Sequence, residues 1–335
     1  MGISILDKKL LMLVFLFTVT LLYGQDNTKI KGLSFVASSS PIDKTDVAPI
    51  ITMNANWVTL MPYGFVGGDG TVTYNSKWQW WGEKEEGVKE TIELCKTEGL
   101  KIMLKPQIWM RNAYTGDYKL STEKEWVKFE KSYASFILSF LEIAIDLDVE
   151  MFCFGTEWRE FVKARPEFWN ELIKKIKLKY SGELTYAANW DDYAAVPFWK
   201  EMDVIGVNGY FPISISQKPD LKELTIGWDV HRKVLSEFSK KYGRKIVFTE
   251  IGYRSMEGAT IKPWEHSTRS KYSEEIQHNA YNALFNVLWD EDWFGGIFIW
   301  KWYHDHKNQG GNGDVDFTPQ NKLAEKTIRS FWSNN

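Results

Sequence analysis

The sequence predicts a single (β/α)8 TIM barrel. Eight short apolar runs, rich in Val, Ile and Phe, recur along the chain, and amphipathic segments separate most of them. Runs of this kind read as strands buried on both faces, and strands alternating with helices read as a parallel barrel. A doubly wound sheet is the competing architecture, and it would place a glycine-rich turn after its first strand. Here Ser38-Ser39-Ser40-Pro41 follows instead.

The strands are expected at residues 32–37, 57–61, 101–105, 150–155, 184–188, 204–208, 245–249 and 296–300. Helical patterns occupy residues 85–97 before the third strand, 126–144 before the fourth and 166–179 before the fifth. Others fall at 228–242 before the seventh strand and 273–289 before the eighth, and 319–332 closes the chain. No linker, low-complexity tract or internal repeat interrupts this series. Residues 25–335 therefore read as one domain of about 310 residues, a normal size for such a barrel.

Residues 1–24 read differently. Lys8 and Lys9 precede an apolar stretch over residues 10–22, and Tyr23-Gly24-Gln25 follows. That pattern is a signal peptide cleaved near Gly24, too short for a comfortable span, with an uncleaved N-terminal anchor as the rival reading. The expectation is a secreted or periplasmic protein with no membrane association after cleavage. Net charge is −3 and no Lys/Arg block occurs, which excludes nucleic acid as a partner class. With only Cys95 and Cys153, in a helical and a strand pattern, no disulfide framework holds the chain. The 17 Trp, 15 Tyr and 20 Phe exceed what a core would place, because several Trp stand beside Lys, Gln and Gly in loops.

Two glutamates carry the chemistry. Glu157 closes the run Val149-Glu150-Met151-Phe152-Cys153-Phe154-Gly155-Thr156, and Glu250 closes Lys245-Ile246-Val247-Phe248-Thr249. A carboxylate at the lip of a buried strand is costly to place without a purpose. In a barrel the C-terminal strand ends build the active face, so these two, after non-adjacent strands four and seven, face each other across the mouth. Glycosidic cleavage requires such a pair, one carboxyl to protonate the leaving oxygen and one to attack or stabilise the anomeric carbon. Structural ion pairs at the strand ends are the alternative, and the residues alone do not assign the two roles.

Gly155-Thr156-Glu157-Trp158 and Phe248-Thr249-Glu250-Ile251-Gly252-Tyr253 resemble the large retaining clan of (β/α)8 glycosidases. Lys77-Trp78-Gln79-Trp80-Trp81-Gly82-Glu83 and Leu104-Lys105-Pro106-Gln107-Ile108-Trp109 narrow the likeness. With Leu184-Thr185-Tyr186-Ala187-Ala188-Asn189-Trp190 and Ile205-Gly206-Val207-Asn208-Gly209-Tyr210-Phe211-Pro212, the chain resembles glycoside hydrolase family 113, whose characterised members are β-mannanases. The resemblance implies Glu157 as general acid/base, Glu250 as nucleophile and Tyr210 as a hydrogen-bond partner of the nucleophile. Most of the clan has Asn before the acid/base. Thr156 stands there, and its hydroxyl cannot reproduce the amide's geometry toward a sugar 2-hydroxyl.

Lys105, Gln107 and Trp109 after strand three, and Asn189 and Trp190 at the end of strand five, are further candidates for sugar contact; Lys105 could instead lower a neighbouring carboxyl's pKa by its positive charge, or form a rim salt bridge. Trp300 and Trp302 lie at the end of strand eight, where only one is expected to face the pocket, and Trp300, which continues the strand, is the expected platform. Trp78, Trp80 and Trp81, after strand two, offer indole faces for sugar C–H groups, with at least one expected in the core. His304-Asp305-His306 could grip a cation, but His231, His266 and His278 do not fall at strand ends, so neither metal nor other cofactor is expected. The expectation is a monomeric, secreted, retaining endo-β-1,4-mannanase acting on a polysaccharide or oligosaccharide. Its alternatives are another glycan (glucan, xylan or galactan), exo action, a non-catalytic glycan-binding barrel and, more distantly, a barrel metallohydrolase.

Overall fold

Eight parallel strands close into a barrel in sequential order. They are β1 (Ile30–Phe35), β2 (Trp57–Leu60), β3 (Lys101–Leu104), β4 (Met151–Thr156), β5 (Glu183–Asn189), β6 (Ile205–Asn208), β7 (Ile246–Ile251) and β8 (Phe294–Trp302). The computed structural model describes residues 28–111, 113–266 and 269–335, and the expected signal peptide lies outside the described residues. β1 closes the ring by pairing with both β2 and β8. Every expected strand is present, shifted at its ends by one or two residues.

The barrel interior is filled by Ile30, Trp57, Met103, Met151, Cys153, Ala187, Val204, Val247 and Phe298. A far larger apolar cluster lies between the strands and the surrounding helices. Those helices are α1 (Lys44–Thr52), α2 (Glu85–Thr97), α3 (Glu123–Asp146), α4 (Arg159–Ala164), α5 (Pro166–Lys177), α6 (Leu221–Tyr242), α7 (Glu274–Leu288) and α8 (Leu323–Asn334). Thr122 and Glu125 form a capping box that starts α3 three residues before its apolar pattern begins. Asp220 caps α6 through the Glu223 N–H, and Gly243 ends that helix at φ +63°, where a side chain would be strained. Cys95 and Cys153 are free and buried. Among the described residues no helix is long and apolar enough to cross a membrane.

Two features depart from the expected alternation. Between β5 and β6 stand only single 3-10 turns, Tyr193–Ala195 and Trp199–Glu201, in place of an α-helix. Trp199 is fully buried there and donates its indole N–H to the Tyr193 carbonyl at 2.7 Å, so one large side chain fills part of the space a helix would occupy. The second is a three-stranded side sheet on the rim. Tyr63–Val66 pairs antiparallel with Val72–Thr73 and parallel with Gln107–Trp109. It extends the chain beyond β2 and β3 and carries Gln107 and Trp109 above the barrel mouth.

Candidate active site

At the end of β4 the register against β5 shifts between Cys153 and Thr156, and Glu157 then turns into the left-handed region at φ +55°. A non-glycine residue held there costs about 1 kcal/mol or more, so the surroundings must impose it. The Glu157 N–H donates to the Ala187 carbonyl at 2.8 Å, and the next N–H, of Trp158, donates to the Tyr186 hydroxyl at 2.7 Å. Trp158 is buried among Tyr118, Phe129, Tyr133 and Phe161. Its ring anchors the turn and leaves the Glu157 carboxyl at the cleft.

Glu250 lies within the last residues of β7 and is buried, opposite Asn208 of β6. Three donors converge on it. The ammonium of the fully buried Lys105 pairs with Oε1, the Gln107 amide donates to Oε1 at 2.9 Å, and the Tyr210 hydroxyl donates to Oε2 at 3.0 Å. An ionised carboxylate accepts and cannot donate, so this arrangement is its hydrogen-bonding complement. Burial first, and then the Glu250 charge, push the Tyr210 phenol well above its ordinary value, so it remains an O–H donor.

Glu157 has the opposite setting. Its Oε1 accepts one hydrogen bond, from the Asn208 amide at 2.9 Å. Burial, followed by the charge of Glu250, pushes its carboxyl up to about 7, while the Asn208 bond and the Lys105 charge pull the other way. The pair therefore offers a carboxylate set for attack and a carboxylic acid that holds its proton near neutral pH.

Two cavities, of about 710 and 700 Å3, meet at this pair and share Tyr114, Glu157, Glu250, His266 and Trp300. One runs toward Asn189, Trp190, Trp264 and Lys301. The other runs toward Tyr63, Gln107, Thr156 and Trp109. Trp190 and Trp264 stack at the first end, with ring centroids 5.0 Å apart and planes at 22°. Asn189 is held by its own contacts, donating to the Tyr114 hydroxyl at 2.9 Å and accepting from the Trp190 N–H at 2.9 Å.

Several expected sugar contacts need correction. Lys105 is fully buried beneath Glu250 and cannot reach a sugar; it holds the carboxylate. Trp302 is fully buried beside His306, whereas Trp300 lines both cavities. Trp81 packs back on α2, where a Cβ at Gly87 would meet its ring at 2.9 Å. Trp78 and Trp80 are exposed and line neither of these cavities; Trp78 rests edge-on against Phe65 of the side sheet at 4.5 Å. His304 faces Ser38 and His306 pairs with Glu325 at 3.0 Å, so the two rings diverge. Among the described residues no group of three His, Cys, Asp or Glu is placed to hold a metal ion.

The sequence reading missed Asn208, Tyr114 and Trp264 as site residues. Asn208 did leave a trace, a polar side chain ending the apolar run Ile205-Gly206-Val207, which is the same signature that marked the two glutamates. Trp264 left none, since it lies in the long loop between β7 and α7.

The sequence profile of Glycoside Hydrolase Family 113 matches residues 39–322. Among solved structures, the family 113 β-mannanase AaManA from Alicyclobacillus acidocaldarius superposes with a TM-score of 0.79 at 24% identity, over 92% of this chain and 98% of that one. A second family 113 β-1,4-mannanase gives a TM-score of 0.79 at 22% identity, over 92% and 99%. A β-glucuronidase from Faecalibacterium prausnitzii gives 0.63 at 16% identity, with 91% of this chain covering 49% of that larger one. No curated protein matches the chain. The structural likenesses, at these identities, speak for the fold, and the profile speaks for descent: the chain belongs to Glycoside Hydrolase Family 113, within the retaining clan of (β/α)8 glycosidases.

Proposed function

We propose that this protein is an endo-β-1,4-mannanase in which Glu250 is the nucleophile and Glu157 the general acid/base. The observation that carries the assignment is the unlike setting of the two carboxyls: three donors on Glu250, and a proton affinity raised to about 7 at Glu157. A Glu250 oxygen attacks the anomeric carbon as the glycosidic C–O bond breaks, and Glu157 gives its proton to the departing oxygen. Glu157, now a carboxylate, takes a proton from water, whose oxygen displaces Glu250 and releases the sugar.

Family membership and the likeness to two β-mannanases support mannan as the glycan. Internal cleavage is supported by the two cavities that extend from the carboxyl pair, each with an aromatic residue along it for a sugar face. The N-terminal pattern supports export, to the periplasm or beyond the cell.

The test is time-resolved product analysis on β-mannan, xylan, β-glucan and galactan. Wild type should cut mannan internally, and Glu157→Gln and Glu250→Gln should each lose about 10³-fold or more on mannan while remaining folded. Cleavage of a different glycan would replace the substrate and keep the mechanism. Full turnover by either variant would sink the assignment of the pair, and tight binding by wild type without product would make the protein a receptor.

A further inference from the structure

We infer that Asn208 is a positioning residue that fixes which oxygen of Glu157 carries the catalytic proton. The inference rests on Glu157 being the acid. Asn208 is buried at the end of β6, directly opposite Glu250 in the β6–β7 pairing. Its Oδ1 lies 3.0 Å from the Thr249 hydroxyl and 3.4 Å from the Lys105 ammonium. An ammonium only donates, so that end of the amide is the oxygen and the orientation is settled. The NH2 end therefore faces Glu157, 2.9 Å from Oε1.

That N–H requires an acceptor. In a protonated carboxyl the carbonyl oxygen is the better acceptor, so Oε1 is the carbonyl and the proton sits on Oε2. Among the described residues Oε2 has no hydrogen-bond partner, and Glu157 lines both cavities. The proton is thus presented to the cleft. In the first step the Oε2–H bond breaks and the proton passes to the glycosidic oxygen. The bond from that oxygen to the anomeric carbon breaks with its electron pair staying on oxygen, and a Glu250 oxygen forms the new bond to carbon. Glu157 is left as a carboxylate, with Oε1 still held by Asn208. Lys105 contacts both Asn208 and Glu250, so one buried cluster orients acid and nucleophile together.

Leaving-group dependence separates this role from a structural one. Aryl β-mannobiosides span leaving groups from 2,4-dinitrophenol, which departs without a proton, to phenol, which needs one. kcat/KM reports the first step alone. Asn208→Ala, and Asn208→Asp, which keeps shape and the acceptor for Thr249 and Lys105 while removing the donor, are compared with wild type and Glu157→Gln. Both Asn208 variants should lose about 10²-fold on the phenyl substrate and less than about 3-fold on the dinitrophenyl one, the split also expected of Glu157→Gln. Equal losses on both substrates, or no loss, would overturn the role of Asn208. Absence of the split in Glu157→Gln would instead overturn the acid assignment, and inactivity of wild type on every aryl mannobioside would overturn mannan as the glycan. Thermal melts of both Asn208 variants establish that folded protein is compared.

Discussion

Replacing Glu157 by Gln should make the protein more stable above neutral pH. An ordinary glutamate titrates near 4.5, and burial with the Glu250 charge moves Glu157 to about 7. Below 4.5 the carboxyl is protonated whether the chain is folded or unfolded, so its contribution does not vary. Between 4.5 and 7 the folded state keeps a proton that the unfolded state has released, and stability falls as pH rises, by about 1.4 kcal/mol per pH unit. Above 7 the loss is complete and amounts to about 3 kcal/mol. Glutamine is neutral throughout and still accepts from Asn208, so the variant escapes this loss. For a chain of this size that corresponds to about 5 °C in Tm. Calorimetric melts of both proteins between about pH 4 and 8.5 are the assay. The two Tm curves should nearly coincide at the acid end and separate through neutrality, with the variant higher. Parallel curves across the whole range would mean that Glu157 does not hold its proton, and the acid assignment would lose its basis.

Two other substitutions probe the supports of the pair. Lys105→Met removes the buried cation beside Glu250, and stranding a buried charge costs about 3–5 kcal/mol, so urea midpoints and kcat/KM should both fall sharply. Retention of a tenth or more of wild-type activity would show that Gln107 and Tyr210 hold Glu250 without it. Trp300→Ala and Trp302→Ala should part ways although the residues are two apart. The first should raise KM or lower kcat with little change in Tm, and the second should cost about 3–5 kcal/mol in stability while its folded fraction keeps the wild-type KM. Reversed outcomes would place the wrong ring in the cleft.

What the sequence made legible follows from which patterns are local. The eight strands were readable because each is a short, mainly apolar run, and Glu157 and Glu250 stood out against that background. α1 was not readable, since nine residues with Pro49 inside give too little period. Nor was the side sheet, whose strands are only two to four residues long, too short to show a period. The function of Lys105 stayed open for another reason. At a strand end a lysine can reach for sugar hydroxyls, act on a neighbouring carboxyl or sit in a rim salt bridge, and only the closed barrel puts Glu250 above it and removes it from solvent. Asn208 shows the same limit. Its partners come from the residues just after β3 and β4 and from β7, and no window along the chain contains them all.

The same coupling gives the proposed mechanism its order. The charge on Glu250 is the second cause, after burial, of the proton retained by Glu157. Attack on the sugar turns Glu250 into a neutral ester and deletes that charge, while Lys105 remains beside it and still favours the ionised form of Glu157. Glu157 therefore loses proton affinity at the moment its task changes from giving a proton to taking one. Burial alone would have kept its proton affinity equally high in both steps, so that near neutral pH it would be reprotonated from solvent instead of standing ready as the base. A charged partner that disappears on reaction serves both, so the acid and the nucleophile have to be close enough to feel each other. Asn208 and Lys105, shared between them, hold that closeness without a direct contact between the two carboxyls.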